Sequence, residues 1–274
     1  MKLGLINAAF AQANKGTRYG IEQTKRIGFD TIDILTDPLD IDKKERGLIK
    51  ETAEAVGLEI KSLCCVAVGL IDFNPSVQRF HLDRCKVHLD LCKEFGCENL
   101  LLVIGEYIWE QEVIPPSDQW EMGVENVSKL GEYAEQLQLE IVLELEPFKM
   151  ALVKDVETML KFLDAVGQPQ VVKANCDISH LYLMGIKPEE IQRLKGRVGH
   201  VHLSDCNGKV HGDLPPGRGV VPIIDYLEQL QEIGFDRTVS IELEYAPQAE
   251  KIVEWVTEAY EKTDEIMQKL GCRG

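Results

Sequence analysis

Long uncharged apolar runs are missing from this sequence. No stretch approaches the roughly 18 residues that a membrane-spanning helix requires, so no membrane span is expected. Basic residues are scarce: 30 Lys and Arg stand against 46 Asp and Glu, for a net charge of −16. A surface that negative repels a phosphate backbone, whose binding relies on Lys and Arg displacing counterions, so a nucleic-acid partner is not expected either. There is no CxxC pair. The eight cysteines include the adjacent Cys64 and Cys65, a spacing that suits neither a disulfide framework nor a zinc ribbon. Most of them sit in apolar stretches, where free cysteine behaves as a small hydrophobe, as in a reducing cytosol. The opening Met1-Lys2-Leu3-Gly4-Leu5-Ile6 lacks the apolar core of a signal peptide, so a cytoplasmic location is the expectation. Linkers, low-complexity segments and breaks in composition are also absent, which favours one domain over residues 1–274.

What is present is an alternation repeated eight times. Short β-branched or apolar runs at 3–8, 31–35, 59–66, 100–104, 140–145, 171–176, 198–203 and 239–243 predict strands. Segments of helical period lie between them, near 17–27, 42–56, 76–95, 119–137, 155–165, 188–195, 221–232 and 249–270. The strand runs are apolar nearly throughout, as parallel strands covered on both faces must be. Eight strand–helix units are the count of a closed (β/α)8 TIM barrel, a fold of about 250 residues. A doubly wound open sheet usually uses about five or six strands.

In a barrel of this kind the reacting groups sit at the C-terminal ends of the strands. That rule shortens the roll of acidic residues to a few. The fifth strand ends Leu143-Glu144-Leu145-Glu146-Pro147, and the sixth ends Asn175-Cys176-Asp177-Ile178-Ser179-His180. The seventh reads His200-Val201-His202-Leu203-Ser204-Asp205, and the eighth ends Ser240-Ile241-Glu242-Leu243-Glu244. Four consecutive strands thus deliver carboxylate or imidazole to one rim. Three carboxylates and a neutral imidazole make a hard, mostly oxygen site suited to Mn2+, Mg2+ or Co2+, with Zn2+ also compatible. Alternation places Glu144 and Glu146 on one face, and Glu242 and Glu244 likewise, so periodicity does not choose within either pair.

Several motifs in order resemble the xylose-isomerase-like sugar isomerase/epimerase superfamily. They are Val142-Leu143-Glu144-Leu145-Glu146-Pro147-Phe148, the step from Asp177 to His180, Val201-His202-Leu203-Ser204-Asp205, the loop Pro216-Gly217-Arg218-Gly219, and Val239-Ser240-Ile241-Glu242. Members of that superfamily include ketose 3-epimerases, hydroxypyruvate isomerases, inosose dehydratases and, more distantly, endonuclease IV. The resemblance implies Glu146, Asp177, His202 and Glu242 as ligands of one divalent metal, with Glu146 and Glu242 doubling as acid–base groups on opposite faces of a small sugar or sugar phosphate. It implies that His180 binds a substrate oxygen. Asp205, Arg218 and Trp109 are further candidates for substrate contact, as is Phe10. The reaction expected is isomerisation or epimerisation by proton transfer through an enediolate. Homo-oligomers are common among such proteins and compatible with this chain.

Two positions depart from the ketose 3-epimerase pattern. Lys149-Met150-Ala151-Leu152 stands where those enzymes carry a sugar-gripping glutamate, and Cys206-Asn207-Gly208-Lys209 stands where they carry an arginine. The expectation therefore rests at the broader class. Its nearest alternative is a dehydratase acting on an inosose- or dehydroshikimate-like substrate. An endonuclease IV-like nuclease is disfavoured by the charge and by third and fourth strands without histidine, and a non-catalytic sugar binder is disfavoured by the complete ligand set. Lys209, His211 and Arg218 offer a seat for a phosphate, although no known phosphate-binding motif surrounds them. His200 reads as a supporting or core residue. His81, Cys85, His88 and Cys92 form one helical stripe, but it spans about 16 Å and cannot close on one ion, so it is expected to pack on the barrel wall.

Overall fold

The structure is a computed structural model that describes residues 1–104, 114–246 and 248–274. Eight parallel strands close into a barrel, each pairing with the next and the last with the first. They are β1 (Lys2–Ile6), β2 (Thr31–Leu35), β3 (Glu59–Val66), β4 (Asn99–Val103), β5 (Glu140–Leu143), β6 (Val172–Asp177), β7 (Val198–Leu203) and β8 (Thr238–Ile241). The expected TIM barrel is therefore the fold, and three strands match their expected bounds to the residue.

The helices are α1 (Ala8–Ala11), α2 (Thr17–Ile27), α3 (Lys43–Val56), α4 (Pro75–Phe95), α5 (Pro116–Leu137), α6 (Val156–Val166), α7 (Ile178–Leu183), α8 (Ile223–Glu232) and α9 (Ile252–Lys269). Their ends have local causes. Asp42 and Asn74 cap α3 and α4 with side-chain oxygens, and Asp155 and Thr158 form a reciprocal capping box on α6. Gly57 and Gly96 end α3 and α4 at φ 65° and 75°, a left-handed turn that glycine takes without steric cost. One expected helix differs: Pro188–Leu194 is a 3-10 helix, whose buried Ile191 and Leu194 repeat at the three-residue spacing of that form.

Apolar side chains fill the space between strands and helices, while a smaller set including Ile6, Cys64, Leu101, Val103 and Val142 fills the lumen. All eight cysteines are buried free thiols. The α4 stripe lies as expected, with Cys85, His88 and Cys92 buried against the barrel. Cys85 Sγ stands 3.8 Å from Cys65 Sγ of β3, and the stripe supplies no group of converging ligand atoms among the described residues.

At the N-terminal end of the barrel, ion pairs link the starts of six strands into a belt. Lys2 and Lys61 both reach Glu59 (2.7 and 2.9 Å), and Lys61 also reaches Glu98 (2.5 Å). Arg237 joins Glu98 to Glu140 (3.1 and 2.6 Å), and Lys173 closes on Glu140 (2.6 Å). No described helix is long and apolar enough to cross a membrane.

Candidate active site

The opposite, C-terminal end of the barrel holds a cavity of about 180 Å3 whose walls carry Glu144, Glu146, His180, His202, His211 and Glu242, with Glu244 and Tyr245 beside them. Two irregularities aim its residues. The register of β6 against β7 slips between Ala174 and Asn175, after which Asp177 stands beside His202. A second slip, between β2 and β3, falls at Ile32 and Asp33. Bulges of this kind re-aim side chains near active sites.

Asp177 ends β6 and caps α7. Its Oδ1 accepts from Ser179 Oγ and from the His180 amide, both at 2.8 Å, and its buried Oδ2 has no hydrogen-bond partner among the described residues. The paired geometry gives Asp177 one occupied oxygen and one bare one. On β7, His202 Nδ1 stands 3.0 Å from Glu242 Oε2 and 3.7 Å from Glu144 Oε2. Glu144 is held in turn by Asn175, whose Nδ2 donates to Glu144 Oε2 at 2.6 Å.

Two sets of ligand atoms that share Asp177 lie here, each within 4.8 Å of one another: Asp177, His202 and Glu242, and Glu144, Asp177 and His180; a third set is Asp33, His200 and His202. The residues fit a divalent cation on two counts. Together the donors of the first two sets are three carboxylates and two imidazoles, and Asp177 Oδ2 is a buried acceptor without a hydrogen-bond partner among the described residues.

The electrostatics point the same way. Burial opposes charge on Asp177, but the neighbouring His180 and His202 outweigh it and hold the carboxyl at about 2. Burial would lower His180, yet the charges of Asp177 and Glu144 raise it well above its ordinary value. Glu242 is pushed well above the carboxylate range by burial and then by Glu244 and Asp213. Asp213 rises to about 7 for the same reasons, burial first and the Asp177 charge second. This is an excess of negative charge that nearby imidazoles do not offset, which a bound cation would relieve.

Of the expected ligands, Asp177, His202 and Glu242 come together. In the fifth-strand pair, Glu144 groups with Asp177 and His180, accepts from Asn175, and lies 3.7 Å from His202 Nδ1. Glu146 lines the same cavity but belongs to none of these sets. His180 is in the cavity as expected: its Nδ1–H donates to the Leu145 carbonyl at 2.7 Å, and its Nε2 meets His211 Nε2 at 2.8 Å. Because a carbonyl only accepts, the proton on His180 Nδ1 is fixed by this contact.

Three expected substrate contacts lie elsewhere. Asp205 is buried, and its carboxylate is consumed by four backbone amides: those of Cys206 and Val221 on Oδ1, and those of Gly217 and Gly219 on Oδ2, at 2.9–3.0 Å. It pins the loop after β7. A Cβ at Gly219 would lie 2.2 Å from Asp205 Oδ1, so only glycine fits there. Arg218 turns outward to pair with Glu258 and lies over the Trp255 ring at 4.5 Å, so no phosphate seat forms with His211. Phe10 is buried edge-on to Tyr19, outside the cavity walls. Trp109 lies outside the described residues.

Reasoning from sequence missed Asp33, Asn175, Ser204 and Asp213. Asp33 was visible as a lone acid inside an apolar strand. Burial opposes its charge, but His200 and His202 hold its carboxyl below the usual value. Asp213 accepts from Ser204 Oγ at 2.8 Å and from the Glu244 amide at 3.2 Å, tying the loops after β7 and β8 together. No local signal marks it.

The family model described as Xylose isomerase-like TIM barrel matches residues 21–263. Fructoselysine 3-epimerase of Escherichia coli O157:H7 is 26% identical over 170 residues, 61% of this chain, and the match spans only 60% of that relative's length. D-psicose 3-epimerase of Ruminiclostridium cellulolyticum is 27% identical over 259 residues, 88% of this chain and 83% of the relative. A crystal structure of IOLI protein with a bound zinc atom superposes with a TM-score of 0.84 at 22% identity, covering 98% of this chain and 99% of that one. With the family model covering most of its length, the chain belongs to the xylose isomerase-like TIM barrel family.

Proposed function

We propose that the protein is a divalent-metal-dependent isomerase or epimerase of a small, uncharged sugar. The observation that carries this reading is the placement of Glu144 and Glu242 against the same nitrogen of His202, within 3.7 and 3.0 Å of its Nδ1, beside a buried Asp177 oxygen that no hydrogen bond occupies. In this reading Glu144, Asp177, His202 and Glu242 hold the metal, so Glu144 takes the role first expected of Glu146.

A divalent ion bound there would polarise a substrate carbonyl and offset the negative charge that develops on its oxygen. The chain's own groups do the rest. Glu144 and Glu242 come from β5 and β8, at opposite ends of the four contributing strands, so a substrate lying between them meets a carboxylate on each face. One removes the proton beside the carbonyl to give an enediolate, and the other returns a proton. Return to the same carbon from the opposite face inverts it, and return to the neighbouring carbon, with a proton passing from the hydroxyl oxygen to the former carbonyl oxygen, moves the carbonyl. His180 and His211, joined through their Nε2 atoms, offer the hydrogen-bonding wall that orients the sugar hydroxyls.

The charge of the cavity supports an uncharged substrate. Its described walls carry four glutamates and no Lys or Arg. A phosphorylated or carboxylated sugar would have to enter against that field.

The test is proton exchange. Protein loaded with Mg2+ or Mn2+ is incubated in D2O with free and phosphorylated ketoses, and the recovered sugars are analysed by NMR. Metal-dependent deuterium uptake next to a carbonyl is expected for a free ketose, lost in Glu144→Gln and in Glu242→Gln. Metal binding should weaken in Glu144→Gln and survive in Glu146→Gln; the reverse would return the ligand role to Glu146. Failure to bind any divalent ion would sink the reading.

A further inference from the structure

We infer that Asp33 is a positioning residue that fixes which nitrogen of His202 faces the metal, an inference that rests on the metal-holding role proposed above. Asp33 sits in the middle of β2, fully buried, between Ile32 and Ile34. A carboxylate in that setting is heavily penalised unless it is paired. Its partners come from β7, which is not a neighbour of β2 in the barrel, so its side chain reaches across the lumen. The register slip at Ile32 and Asp33 accompanies that orientation.

Beneath the cavity, Asp33 Oδ2 accepts from His200 Nε2 at 2.8 Å and lies 3.8 Å from His202 Nε2. The two imidazoles stand edge to face with centroids 5.4 Å apart. His202 therefore spans two sets of carboxylates: Nε2 faces Asp33 below, and Nδ1 faces Glu242 and Glu144 above. His202 Nε2 is buried and has no hydrogen-bond partner among the described residues.

A neutral imidazole carries one proton, and its two tautomers are not equivalent here. With the proton on Nε2, the N–H dipole points at the Asp33 carboxylate, and the Nδ1 lone pair, 3.0 Å from Glu242 Oε2, is left to share a cation with the ligand oxygens. With the proton on Nδ1, the Nε2 lone pair faces a carboxylate, and the nitrogen that should bind a cation is blocked. Asp33 favours the first arrangement electrostatically, and the His200 hydrogen bond anchors Asp33 so that it cannot turn away. A carboxylate behind a metal-binding histidine orients the ring and raises its basicity as a ligand.

The experiment compares Mn2+ binding to wild type and Asp33→Asn by calorimetry, with thermal unfolding of the metal-free proteins as the structural control. Asparagine keeps the shape but loses the charge, and its amide N–H2 can face His202 Nε2. The dissociation constant should rise about 10–100-fold, with the metal-free melting temperature little changed. Equal affinity in the two proteins would overturn the inference while leaving the proposed function standing. No Mn2+ binding by wild type would remove both. A second measurement needs no variant: 15N-histidine protein loaded with 113Cd2+ should show metal–nitrogen coupling at His202 Nδ1 and a proton on Nε2. Coupling at Nε2 would refute the role of Asp33 even if Asp33→Asn did not fold.

Discussion

Replacing Asp205 by alanine should cost stability rather than substrate affinity. The carboxylate accepts from four amides, and two of those bonds, from Cys206 and Val221, are fully buried. The other two, from Gly217 and Gly219, are partly exposed, and water can replace them. A hydrogen bond to a charged acceptor contributes about 1.5–3 kcal/mol, so the buried pair alone sets a loss of about 4 kcal/mol. At about 2–4 °C per kcal/mol for chains of this class, the melting temperature should fall by roughly 8–16 °C. Asp205→Asn keeps an oxygen for the buried pair but removes its charge, and a neutral acceptor contributes only about 0.5–1.5 kcal/mol per bond, so about half of that loss is expected. Thermal unfolding by circular dichroism gives the magnitude, and amide hydrogen exchange over residues 205–221 gives the location. An alanine variant within about 1 kcal/mol of wild type would refute the pinning argument. A raised KM with unchanged stability would restore Asp205 as a substrate contact.

Two further outcomes are expected. Arg218→Ala should change stability by less than about 1 kcal/mol, because its pair with Glu258 is largely solvated, and should leave KM within twofold; a tenfold rise in KM would return Arg218 to the site. Asp213 has a folded-state value near 7, above its unfolded one, so the native state retains a proton that the unfolded chain has already released. Its ionisation is thus a penalty that grows as pH rises from about 4 to 7, and metal-free Asp213→Asn should gain stability over wild type across that window; a difference that does not vary with pH would contradict this.

Most of the scaffold was legible because each element announces itself locally. The strand 198–203 is a buried run bounded by turn residues, and α3 and α4 stop at glycines that take left-handed turns. The strand-end rule pointed to Asp177, His180, His202 and the acid pair of the eighth strand, with the resemblance implying Glu242 within that pair, and the fold brings Asp177 together with His180, His202 and Glu242. Periodicity does not choose between Glu144 and Glu146, since both share a face; the resemblance implies Glu146, and what the structure adds is the hydrogen bond from Asn175 to Glu144. Asp205 and Arg218 misled for a related reason. A polar residue beside a ligand strand looks the same in sequence whether it faces a substrate or its own loop, and only the path of residues 205–221 distinguishes the two. Asp33 required knowing that β2 and β7 face each other across a closed lumen, which is a property of the whole ring.

The ionic belt at the N-terminal end separates two kinds of demand on the same eight strands. Its members alternate in sign and stand in partial contact with solvent, so their attraction is screened by salt over about 8 Å at physiological ionic strength. The buried groups at the far end are shielded from that screening. Selection for growth in heat, cold or brine can therefore rewrite the belt, strengthening or loosening the staves of the barrel, while the cavity end answers only to the molecule that enters it.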